Sequence, residues 1–339
     1  MFRCFFLNRK WFFWSMYGTT AVVAVNWFRV GIDVELNYWN GHFYDLIQEA
    51  LVSPNAVKFV DFRNVIFDFF KITTMYVVIS VVVDYFVRHW IFRWRCAMNE
   101  HYTKHWPLIR QIEGASQRIQ EDTMRFAKLV EDLGISILRN FMTLATFIPL
   151  LWELSKHVKV IPFFGEVEHS MVIVAVVSSF GGIAFLMFIG RKLPAYEYNN
   201  QKVEAAFRKE LVLGEDDESR ATPKGLKELF DDVRHNYFSM YRAYLWFDSC
   251  SSAYSKYSEL TVYIFMSPTI LQAAITLGVL KQITSSYSKV ESSLRFLIRR
   301  WSSCVELMSI YKRLRAFEMQ IEIFSLEENS NLTLKGKKI

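Results

Sequence analysis

Carboxylates set in or beside long apolar stretches are the residues of this sequence best placed to do chemistry. Asp68, Asp84, Asp248 and Glu259 fall within segments that are otherwise apolar. Glu121, Glu131, Glu204 and Glu215 fall on polar, helix-forming stretches that extend from such segments. Partial removal from water disfavours an ionised carboxyl group, so a carboxylate in such a place can exchange a proton near neutral pH. It could take a proton on one side of a barrier and release it on the other. The competing expectation for each is an ion pair with a nearby Lys or Arg, or simple solvation, and the sequence leaves both open.

Other chemistries find less support. His101 and His105 stand at i, i+4, as a metal pair on a helix would. The residues between them are Tyr, Thr and Lys, without the glutamate of HExxH, and no third ligand is in evidence. Solvated or interfacial histidines are expected. The four cysteines, Cys4, Cys96, Cys250 and Cys304, form no CxxC pair and read as unpaired thiols. No GxxxxGK[ST] occurs, so ATP hydrolysis by the P-loop route is not expected of this polypeptide. Gly181-Gly182 lies in an uncharged stretch and reads as a close helix contact. A Gly-x-Ser-x-Gly elbow is absent, and no enzyme activity, metal or other cofactor is expected.

The elements that must position the carboxylates are membrane helices. Of 339 residues, 52% are hydrophobic and 22% charged, and the apolar ones are clustered in blocks. A bilayer span needs about 20 apolar residues in helix. Residues 11–30, with Arg29 near the end, and 170–190, uncharged, meet this directly. Residues 64–87 and 135–152 carry apolar cores and give two more. Residues 260–280 are uncharged but contain Ser267-Pro268, where a turn is natural because Pro removes a backbone donor and restricts the residue before it. A hairpin is expected there, with 243–266 rising and 270–292 descending, for six spans. The opening MFRCFFLNRK lacks a small-x-small cleavage site, so an uncleaved first helix is expected.

With the N-terminus inside, the inner segments are 1–10, 88–130, 191–242 and 291–339. Their Lys and Arg are more than twice as dense as in the outer segments 31–63 and 153–169, the sense of the positive-inside rule. The formal charge of +6 is explained by this topology, so no nucleic-acid partner is expected. Within 115–134, Ile119, Phe126, Val130 and Leu133 make an apolar helical stripe. Residues 196–211 are rich in helix formers and Gly214 is a plausible stop. The expected fold is therefore all-α and polytopic, with long cytoplasmic helical extensions. It divides into a cytoplasmic segment 1–10, a transmembrane region 11–320 and a flexible tail 321–339. The outer segment 31–63 is acidic, through Asp33, Glu35, Asp45, Glu49 and Asp61, and would attract cationic peptides. Trp39, Phe43 and Tyr44 could grip prolyl or aliphatic side chains, or form an interfacial aromatic belt.

Six stretches carry a resemblance: FYDLIQEAL (43–51), FRWRCAMNEHY (92–102), IEGASQRIQEDTMRF (112–126), KVEAAFRKELVLGEDDESRATP (202–223), ITLGVLKQIT (275–284) and VELMSIYKRLRAFE (305–318). In that order, over about residues 10–318, they resemble the SbmA/BacA family of bacterial inner-membrane peptide transporters. The resemblance implies a homodimer with transmembrane helices arranged like those of ABC exporters, without a nucleotide-binding domain or ATPase subunit. It implies proton-driven uptake of peptides and peptide-like antibiotics, such as proline-rich antimicrobial peptides, microcins and bleomycin. The proton-relaying glutamates it implies fall on Glu121 in QEDTMRF, Glu131 in VEDLG, Glu204 in VEAAFRKE and Glu215 in GEDD. Better-known members begin with a further membrane helix before the region matched by NRKWFFWSMYG, which puts their dimer contacts in doubt for this chain. EAAFRKE also resembles the segment by which fatty-acyl exporters of the ABC D class approach their ATPase. The alternative is therefore the membrane subunit of an ABC transporter powered by a separate chain.

Overall fold

The computed structural model describes all residues except 111, 113, 163, 164, 218 and 337–339, and side chains except also those of 297, 298 and 325–336. The short α1 (Phe2–Phe6) leads into α2 (Phe12–Val52) and α3 (Phe59–Lys104). A four-residue α4 (Trp106–Ile109) follows. A single helical path then runs through α5 (Ala115–Gln117), α6 (Thr123–Leu129) and α7 (Ile135–Ser155). A two-residue hairpin, β1 (Val160–Ile161) with β2 (Gly165–Glu166), connects to α8 (Ser170–Gly190) and α9 (Leu193–Asp216). The chain ends with α10 (Pro223–Leu271), α11 (Leu277–Arg299) and α12 (Trp301–Gly336). The fold is thus helical almost throughout, as the clustered apolar blocks require. The tail beyond 321 continues the backbone of α12 as far as Gly336.

Among the described residues, three helices are long and apolar enough to cross a membrane: Phe59–Lys104, Ala115–Ser155 and Ser170–Asp216. On α3, Phe67, Phe70, Val77, Val78, Val81 and Val82 are exposed in the protein. An uncovered apolar face of this kind is what contact with lipid tails demands. Further along α3, Val83, Val87, Trp90, Trp94, Met98 and Tyr102 recur every three or four residues and are buried. They face α1, α6 and α12, giving one of two apolar cores. Of the stripe expected in 115–134, Phe126 is buried in the same core, Ile119 and Val130 pack against it, and Leu133 is buried as well.

The second core centres on α11. Its Ile283, Tyr287 and Val290 are buried among residues of α7, α8 and α10, and α11 packs most extensively on α7, α2 and α8. At Gly41 and Gly278 the helices α2 and α11 meet with no room for a Cβ on either. Asp45 and Gln48 of α2 accept from the backbone N–H groups of Gly278 (2.9 Å) and Leu277 (2.6 Å). The start of α11 is therefore capped by another helix, satisfying donors that have no partner within it. Gly182 of α8 sits directly against Tyr254 of α10, the close helix contact expected of the glycine pair, whereas Gly181 beside it faces open space.

Two sequence expectations are corrected. The hairpin near residue 270 exists, but its turn lies at 272–276, not at Ser267-Pro268. Pro268 stands inside α10, and its carbonyl accepts from Gln272 (3.1 Å) while Thr269 accepts from Ala274 (3.1 Å). The reversal falls at Ala273, with φ of 50°, because a Pro so near a helix end removes one backbone bond without stopping the last turn. Likewise α9 passes through Gly214 and ends at Asp216. There Asp217 accepts from the backbone N–H (2.9 Å) and hydroxyl (2.6 Å) of Ser219 to form the turn.

Candidate functional site

Two stretches on the path from Ala115 to Ser155 are wound as π-helix: Arg118–Asp122 and Val130–Gly134. Such wide turns are rare and concentrate at functional sites. Each contains an adjacent acidic pair, Glu121-Asp122 in the first and Glu131-Asp132 in the second. In both, the two carboxylates take their cations in different directions. Glu121 is held by Arg125 (2.7 Å) and by the amide of Gln117 (3.0 Å), both on its own helical path. Asp122, only 5% exposed, takes two hydrogen bonds from Arg313 of α12, at 3.0 and 2.7 Å. This bidentate contact raises the pKa of the Arg313 guanidinium further above its ordinary value. Glu131 faces Arg88 of α3 at 3.6 Å, whereas Asp132 pairs with Arg300 at 3.1 Å.

The second π turn opens on a cavity of about 590 Å³ between α2, α3 and α7, lined by Arg29, Asp84, Arg88, Lys128, Glu131 and Arg139 among others. Arg29 is the unusual member. Its side chain is 6% exposed, its Nη1 lies 3.2 Å from Oδ1 of Asp84, and its Nε has no hydrogen-bond partner. Asp84, by contrast, is 60% exposed. An ionisable group buried among apolar helices is costly unless paired, and Asp84 is its only ion-pair partner among the described residues. Lys128 and Arg139 have no carboxylate within ion-pair distance among the described residues. The cavity thus holds four cations and the carboxylates of Asp84, Glu131 and Asp132. Adding or removing one proton there changes which pairs are matched.

The four glutamates singled out in the sequence fall in two places. Glu121 and Glu131 lie half-buried on the helix just described. Glu204 and Glu215 lie on α9, which among the described residues packs extensively only on α10. There the Tyr237 hydroxyl donates to Glu204 (3.2 Å), and Glu215 is exposed near the helix end. Within one chain the two pairs are not brought together. Asp217 beside Glu215 is held below the usual carboxylate range by its hydrogen bonds from Ser219.

The remaining candidates are dispersed. Trp39 stacks on Phe43 with ring centroids 4.7 Å apart and donates to the carbonyl of Val65 (2.8 Å), so both rings face α3. Tyr44 instead lies under Lys281 of α11, 5.0 Å from the ring centre. Asp68 pairs with Lys71 on the surface of α3, and Glu259 with Lys256 on α10. His101 and His105 have their rings 4.9 Å apart, and no group of three metal-binding side chains occurs among the described residues. Sequence reasoning missed Asp122, Asp132, Arg300 and Arg313. The signal available was the repeated Glu-Asp doublet, ten residues apart, on the apolar-striped helix.

The chain is 23% identical over 315 residues to the inner membrane ABC transporter ATP-binding protein YddA of Escherichia coli, covering 86% of this chain and 55% of that one. It is 22% identical to an uncharacterized ABC transporter ATP-binding protein of Haemophilus influenzae, over 81% of this chain and 49% of the other. With ABC transporter D family member 2, chloroplastic, of Arabidopsis thaliana, it shares 19% identity over 88% of its length and 42% of that protein's. The chain spans about half the length of the curated relatives it matches. A family-wide sequence match covers residues 8–322, nearly the whole chain, and by it this membrane protein belongs to the SbmA/BacA-like family.

Proposed function

We propose that the chain imports peptides and peptide-like antibiotics across a bacterial inner membrane, driven by the proton gradient. The observation that carries this reading is the π turn Val130–Gly134, which sets Glu131 among the guanidinium groups of Arg88, Arg29 and Arg139 at one mixed-charge cavity. Protonating Glu131 frees Arg88 and shifts the balance of charge around the buried Arg29. A carboxylate that controls the matching of cations between α2, α3 and α7 couples proton uptake to the relative position of those helices. Glu121, Glu204 and Glu215 act with it. In this reading α2, α3, α7, α8, α10 and α11 each cross the membrane, both termini are cytoplasmic, and two copies enclose the substrate.

The α9–α10 arm supports the homodimer. It leaves Phe230, Phe238, Tyr241, Leu245 and Trp246 exposed. A second reading, the membrane part of an ABC transporter powered by ATP, is favoured by the relatives from Escherichia coli and Haemophilus influenzae, which are ABC transporter ATP-binding proteins.

The test is uptake of a fluorescent proline-rich peptide by a transporter-null bacterium expressing the chain, with and without a protonophore. Uptake that collapses with the protonophore while ATP is maintained is expected. Uptake that follows ATP and ignores the protonophore would establish the second reading.

A further inference from the structure

Helix α11 has a polar face that its own fold does not use. Its buried face is fixed: Lys289 pairs with Asp33 of α2 (2.8 Å), and Asn37 of α2 donates to Ser286 (3.0 Å). The hydroxyls of Tyr287 and Ser178 are bonded at 2.7 Å. Ser178 stands near the middle of α8, an apolar helix of 21 residues without a charge. The residues of α11 next to Tyr287 therefore lie at mid-depth of a membrane-crossing helix. Ser285 and Ser288 lie within one turn of that level, and Lys281, Thr284, Ser285 and Ser288 share one face, at helical spacings of three, one and three, with Lys281 one turn from the start of α11. The hydroxyls of Ser285 and Ser288 have no hydrogen-bond partner among the described residues, nor does the side-chain amide of Asn40 opposite them on α2. Polar groups left unpartnered in hydrocarbon cost several kcal/mol each or so. This face must therefore border water or a polar ligand.

It lines an open cavity of about 380 Å³ between α2, α10 and α11, bordered on the far side by Glu259 and Tyr263 of α10. The volume falls within the roughly 300–1,000 Å³ of ordinary ligand pockets. We propose that this cavity binds a short extended segment of a cationic peptide. The inference rests on the peptide-import reading and assigns that reading its binding site. Lys281 to Ser288 spans about 10 Å at helical rise, the length of about three residues of extended chain. Asn40 carries both a donor and an acceptor and so matches a peptide unit, which offers one of each. Ser285 and Ser288 take the neighbouring carbonyl and N–H groups. Glu259 receives a Lys or Arg side chain of the peptide. Its pair with Lys256 at 3.7 Å is solvent-exposed and weak, so it is readily exchanged. Lys281, steadied over the ring of Tyr44, meets a backbone carbonyl.

The experiment is binding of a fluorescent proline-rich peptide bearing Arg residues to the full chain in lipid nanodiscs, followed by anisotropy. A charged hydrogen bond lost corresponds to about a tenfold rise in Kd. Glu259→Gln and Lys281→Met are each expected to weaken binding by about that factor, while Glu153→Gln, outside the cavity, leaves it unchanged. Glu259→Lys is expected to abolish binding of the Arg peptide and to bind a Glu-substituted peptide in its place. A fold that is merely destabilised would not produce that exchange of preference. Wild-type binding with unaltered Kd in Glu259→Gln and Lys281→Met overturns the assignment of this cavity and leaves peptide import standing. No binding by the wild type, in folded protein, overturns both.

Discussion

The pair Asp122–Arg313 ties the first π turn to α12, and replacing Arg313 by Met tests whether it does so as a buried ion pair. The Asp122 carboxylate is 5% exposed and holds two hydrogen bonds from Arg313. Arg313→Met removes both and strands a negative charge in the protein. Removing one partner of a buried pair costs about 3–5 kcal/mol. Arg313 is itself 43% exposed, which places the cost at the low end, about 3 kcal/mol. At about 2 °C per kcal/mol for a chain of this size, the unfolding midpoint should fall by about 6 °C. The double variant Asp122→Asn/Arg313→Met buries no unpaired charge and should recover most of that loss. The ten tryptophans make intrinsic fluorescence a suitable readout in detergent. A single variant that unfolds within about 1 °C of wild type, or a double variant less stable than either single, would refute the reasoning.

Three further outcomes are expected. Glu131→Gln should bring peptide uptake to background while membrane insertion is retained. If Gln at 121, 131, 204 and 215, one at a time, leaves uptake untouched, the proton relay must be abandoned. Asp84→Asn strands the buried Arg29 and should cost about 1–3 kcal/mol, whereas Arg29→Leu leaves a carboxylate already in contact with water and should cost less. Thermal midpoints in the reverse order would contradict the burial asymmetry. Gly278→Val places a side chain against the Gly41 carbonyl and Asp45. It should destabilise the α2–α11 contact by about 1–3 kcal/mol, with lower yield of folded protein as the measure.

The sequence by itself determined the helical class, the apolar stripe of 115–134, the helix–helix contact at Gly182 and the family. Each is a local matter: periodicity, residue size and charge distribution are written along the chain and need no partner to be read. It also singled out Glu121, Glu131, Glu204 and Glu215, by the resemblance of their flanking residues to the family, the context of Glu131 being the least distinctive. Only the tertiary structure decided that Glu121 and Glu131 sit in π turns and that Asp122 and Asp132 beside them bind α12 and Arg300. Those partners are some 170 to 190 residues away, and backbone winding of this kind has no composition signal. The same holds for the turn at 272–276. Proline marked the place from within the sequence, but the start of α11 is set by Asp45 and Gln48, more than two hundred residues earlier. Trp39, Phe43 and Tyr44 are neighbours in sequence and, although the Phe43 and Tyr44 rings meet edge-on at 5.7 Å, they turn to different helices. Successive helical residues point around the axis, so two rings reach α3 and the third reaches α11.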